Sequence, residues 1–116
     1  MSFENPFFII LIFTGVIFVL GGFIMSKYSP KSVNATYGYR TSKSMKNQET
    51  WDFSQKYSSK KMMNYGLILM MFSLIGLFDI LSISKTHVFL AIVIILIFSG
   101  LMIVEVELAI KKKFNL

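Results

Sequence analysis

Few side chains in this sequence could do chemistry, and most of them fall in one polar stretch. Arg40 is the lone arginine among twelve basic residues. It stands in Gly38-Tyr39-Arg40-Thr41, with Asn34 just upstream and Glu49-Thr50-Trp51 downstream. A guanidinium is a planar fork that makes paired hydrogen bonds to a carboxylate or phosphate, which a lysine ammonium cannot do. Where lysine serves everywhere else, the arginine suggests a specific partner. The candidates are Glu49, a lipid phosphate or a ligand carboxylate, with a merely solvated charge as the alternative. Gly38 permits a turn or close backbone approach, Asn34 and Thr41 can satisfy leftover donors, and Trp51 can anchor the cluster. Such a group is either a binding site or a lock that folds the loop onto its neighbours.

The other ionisable candidates are Asp79, Glu105 and Glu107, which lie within or at the ends of apolar runs. Acids in such places are costly and mark function by default. With no cysteine and only His87, disulfides, thiolate chemistry and a histidine-built metal site are excluded. No glycine-rich phosphate loop and no cooperating carboxylate pair is present. The expectation is a protein that is not an enzyme and has no metal or cofactor.

The elements that must position these residues follow from hydropathy. The 116 residues suffice for one domain, 54% of them are hydrophobic, and twelve are phenylalanine. Mean hydropathy is +0.63, more apolar surface than so small a soluble domain could hide. Three apolar runs, at about 7–26, 62–84 and 88–110, are each near the ~20 residues needed to cross a hydrocarbon core. The first is uncharged, preceded by Glu4 rather than a basic segment, and followed by no small-residue cleavage site, so it reads as an uncleaved span. The β-branched third run could suggest strands, but an open sheet in lipid leaves backbone groups unpaired. The predicted fold is an all-α integral membrane protein, a single domain over 1–116. It has three transmembrane helices, with a motif-bearing cytoplasmic loop and an interfacial helix between the first two.

Charge sets the expected orientation. Loop 27–61 carries eight basic residues against Glu49 and Asp52, which accounts for the whole net charge of +6. It shares a side with Lys111-Lys112-Lys113, so the positive-inside rule puts the amino terminus outside and the loop and carboxyl terminus in the cytoplasm. The same placement argues against nucleic acid and for membrane lipids as partners. Ser29-Pro30 should end the first helix. Ser44 or Asn47 can cap a second one that runs on into the next span, with Trp51, Gln55 and Ser58 sharing a face. Asp79 should lie near the outer surface, where with Lys85 and His87 it forms a candidate rim. Glu105 should lie near the inner surface beside the lysine tail, and Glu107 can pair with Lys111 one turn on. Small residues spread over all three spans favour packing of the helices on one another; Gly22 with Ser26 supplies a single small-xxx-small spacing, the signal for a homodimer as the alternative.

The pattern Asn34, Gly38, Arg40-Thr41 and Glu49-x-Trp51, followed at once by an apolar helix, closely resembles the SdpI/YfhL family of bacterial membrane proteins. The resemblance covers nearly the whole chain as a short, domain-only member. It implies Asn34, Gly38, Arg40, Thr41, Glu49 and Trp51 as the motif residues. It also implies immunity to a secreted peptide toxin, SdpC, by binding or occlusion in the bacterial cell membrane, without chemistry. The alternative is a membrane tether for a soluble transcriptional repressor or signalling partner. A small transporter fits less well, because no acid is expected at mid-depth.

Overall fold

A computed structural model describes residues 3–77 and 86–116 as three helices: α1 (Pro6–Lys27), α2 (Gln48–Leu77) and α3 (Thr86–Phe114). Asp79 and Lys85 lie outside the described residues, as do the side chain of His87 and the end of the expected second span. The expected rim is therefore not part of this description.

Each helix starts or stops where local chemistry requires. The Asn5 side chain accepts from the Phe7 N–H at 2.8 Å, and Pro6 occupies the first turn, where an N–H would have no helical partner. The α1 helix ends at Lys27, with the Tyr28 N–H closing on the Ile24 carbonyl ahead of Ser29-Pro30. The α2 helix opens with a reciprocal cap. The Thr50 N–H donates to Asn47 Oδ1 at 2.9 Å and the Asn47 N–H donates to Thr50 Oγ1 at 3.0 Å. The α3 helix closes on Lys111, Lys112 and Lys113, cations that suit the negative end of its dipole.

The first two helices run antiparallel along a seam of small residues. A Cβ on Gly66 would lie 2.7 Å from the Gly15 carbonyl, and one on Gly15 would lie 2.7 Å from that of Gly66. Backbone meets backbone at this crossing, and only glycine allows it. Gly22 fits against the Ser59 carbonyl in the same seam, so this half of the Gly22/Ser26 spacing is occupied by α2. The α3 helix packs more loosely than α1 on α2. It completes a small core of Phe7, Leu11, Leu69 and Ala91, and Phe98 lies against Tyr65 and Phe72 at 5.8 and 5.5 Å.

The distribution of polarity is inverted relative to a water-soluble bundle. Buried side chains include Ser54, Gln55, Ser58, Ser59 and Ser73, whereas Phe13, Met71 and Leu96 are each at least 65% exposed. Among the described residues two helices, Pro6–Lys27 and Val88–Phe114, are long and apolar enough to cross a membrane. At 30 residues α2 is about 45 Å long, more than the ~30 Å hydrocarbon core. Its amino-terminal half carries the charges and its carboxyl-terminal half the apolar run.

Candidate functional site

The polar segment between α1 and α2 is held by side chains that imitate backbone. The buried Gln55 amide accepts from the Tyr39 N–H and donates to the Tyr39 carbonyl, both at 2.8 Å, as a neighbouring strand would. For the chain to come this close, Gly38 adopts φ +105°. A Cβ there would lie 2.6 Å from Gln55 Oε1 and 2.7 Å from Pro30 Cγ. The fully buried Trp51 indole donates to the Pro30 carbonyl at 2.8 Å, fixing the end of α1 against the start of α2. Thr41 and Ser44 exchange hydrogen bonds: the Thr41 N–H donates to Ser44 Oγ at 2.7 Å, and the Ser44 N–H to Thr41 Oγ1 at 3.2 Å.

This locked loop is fastened to α3 by one carboxylate. Glu107 Oε2 accepts from the Tyr39 hydroxyl at 3.1 Å and from the Thr41 hydroxyl at 3.0 Å. Burial, reinforced by the Glu107 charge, pushes the Tyr39 hydroxyl well above its ordinary range. Two residues back along α3, a second carboxylate reaches α2. Glu105 bridges Lys61 at 3.0 Å and accepts from the Tyr65 hydroxyl at 2.8 Å. The hydrogen bond to Glu105 holds Lys61 above its usual range. These contacts replace two expected ones. Among the described residues Glu107 forms no ion pair with Lys111, and Glu105 bonds to α2 rather than to the lysine tail. Both acids face hydroxyl and ammonium donors across the bundle, whereas the tail lysines are exposed.

The expected motif residues divide into two groups. Gly38, Thr41 and Trp51 are built into the lock. Asn34 makes a local turn, its Oδ1 accepting from the Thr36 and Tyr37 N–H groups at 2.9 and 2.7 Å. Arg40 and Glu49 are exposed and not paired with each other; Arg40 donates instead to the Ala35 carbonyl. Four members of the lock were not among the expected motif residues: Tyr39, Ser44, Gln55 and Glu107. Gln55 carried a signal, since it lies one turn from Trp51 on the same face. Glu107 carried none that distinguished loop hydroxyls from a nearby lysine.

Glu49 opens instead onto a groove of about 540 Å³ between α2 and the end of α3. Its floor is aromatic, with Phe53 stacked on Tyr57 at 5.5 Å and edge-on to Phe114 at 5.8 Å. Asp52, Lys56, Lys60 and Lys113 complete the walls.

Residues 31–105, more than half of the chain, match the SdpI/YfhL protein family. The chain belongs to this family. A curated relative, the uncharacterized protein YfhL of Bacillus subtilis (strain 168), is 36% identical over 55 residues, covering 47% of this chain and 50% of that protein. The chain thus spans about half the length of the curated relative it matches. No solved structure matches. The SdpI/YfhL region takes in the lock residues from Gly38 to Gln55 and ends at Glu105, on the α2–α3 bridge. Family membership and the exposed apolar helices make the chain a membrane protein.

Proposed function

We propose that this SdpI/YfhL protein is a bacterial immunity protein that protects its membrane from a secreted antimicrobial peptide by binding it or occluding its target. In this reading it is a three-span protein, with the amino terminus outside and the loop and carboxyl terminus in the cytoplasm. It performs no catalysis and moves no solute. The family match through the motif loop carries the proposal. The geometry supports binding rather than chemistry. Gly38, Thr41 and Trp51 are spent on rigidity, which leaves Arg40 exposed on a pre-organised loop, its fork available to a carboxylate or phosphate.

Expression in a toxin-sensitive bacterium tests this. The wild type should raise survival, and Arg40→Ala should lose that protection at equal abundance in the membrane, since an exposed residue changes stability little, within about 0.5 kcal/mol. Failure of the wild type to protect against any related peptide would overturn the proposal.

A second reading, a tether for a soluble regulator, is favoured by one observation: Arg40 and Glu49 stand unpaired with each other on the polar end of the molecule. Co-purification from membranes should then recover a soluble partner, and Arg40→Ala or Glu49→Ala should reduce its yield. An empty pulldown rejects the tether.

A further inference from the structure

The groove between α2 and the end of α3 arranges its charges in order along the helix axis. Nearest the apolar half of α2 stands Lys60; Lys56 follows one turn on, then Asp52 and Glu49 farther from the membrane, and Lys113 of α3 stands level with Phe53. Among the described residues none of the three lysines is in an ion pair, and of the acids Asp52 accepts from the Gln48 amide at 2.7 Å while Glu49 has no side-chain partner. Lys113 instead lies over the Phe53 ring, 4.7 Å from its centroid, a cation held on an aromatic floor rather than by an acid. Positive charge beside the bilayer with negative charge beyond it is the reverse image of one ligand class. A phospholipid carries its phosphate next to the hydrocarbon, and an aminophospholipid carries an ammonium group beyond that. Lys56 and Asp52 are one turn apart, about 6 Å along the axis, comparable with the two-carbon spacer between phosphate and amine in ethanolamine. Tyr57 supplies the amphipathic ring found at the headgroup level, and Phe53 and Phe114 an apolar floor beside it.

We propose that this groove is a binding site for the headgroup of an aminophospholipid, with Lys60 and Lys56 receiving the phosphate and Asp52 and Glu49 the ammonium. A phosphatidylglycerol headgroup satisfies the lysines but has no cation for the acids. The site does not use Arg40 and stands independently of toxin immunity.

Native mass spectrometry of the full chain in detergent, titrated with phosphatidylethanolamine or phosphatidylglycerol, tests it. The wild type should retain phosphatidylethanolamine about fivefold more strongly, the effect of roughly 1 kcal/mol from one partly exposed charge pair. Lys60→Gln and Lys56→Gln should weaken both lipids several-fold. Asp52→Asn with Glu49→Gln should leave phosphatidylglycerol retention undiminished and erase the preference. Lys46→Gln, an exposed lysine outside the groove, should change neither. Equal retention of the two lipids by the wild type overturns the proposal, as does a loss at Lys46→Gln matching that at Lys60→Gln. Groove variants indistinguishable from wild type also overturn it and leave the groove to a protein partner.

Discussion

A methyl group added at Gly38 meets two obstacles at once, a left-handed backbone and the Gln55 amide, so the position tests the loop lock directly. Gly38→Ala should lower stability by about 1–3 kcal/mol, read as thermal unfolding in detergent micelles. Gln55→Leu removes both bonds to the Tyr39 backbone and strands its N–H, which should cost a similar ~1–3 kcal/mol. The Tyr39 hydroxyl gives a pH signature. Its folded-state pKa is raised, so between the unfolded value near 10 and the higher folded value the native state holds the extra proton. Stability from this contact is therefore complete below about pH 10 and falls as pH rises beyond it. Alkaline unfolding of the wild type and Tyr39→Phe should show a steeper decline in the wild type. Of these residues the sequence marked Gly38, because glycine before an aromatic in a polar run is a local signal. It marked Glu107 as an acid but not its partners, which lie 66 and 68 positions away.

The helices themselves are local objects, and most of their bounds follow from neighbours in sequence. Pro30 limits α1, Asn47 and Thr50 cap α2, and the lysine tail closes α3. What their packing requires is different, since glycines in all three helices look alike in a string of letters. Gly66→Ala should separate α1 from α2 at a crossing where a carbonyl occupies the space, costing about 1–3 kcal/mol. Gly100→Ala, with nothing within 4 Å of the added Cβ, should be neutral or stabilise by up to about 1 kcal/mol through helix propensity. Thermal stability of the two variants side by side separates a packing glycine from a free one.

For the whole molecule, orientation is the open prediction, and the absence of cysteine makes it simple to read. Single cysteines at Phe3 and Ser42, both exposed, should report opposite faces. A membrane-impermeant maleimide should label Phe3→Cys in intact cells and Ser42→Cys only after lysis; the reverse pattern rejects the proposed topology. Composition alone determined that the chain belongs in lipid: the apolar excess and the clustered basic residues are sums over the sequence, insensitive to which residue touches which. The motif loop was likewise legible as a unit, because its residues are close in sequence. Only the tertiary structure decided that Arg40 and Glu49 part company, that Glu107 takes the Tyr39 and Thr41 hydroxyls, and that Gly15 and Gly66 face each other. The physical reason is reach. Hydropathy, capping and turn chemistry act over a few residues, whereas a carboxylate chooses its donors only after three helices have brought distant side chains within about 3 Å.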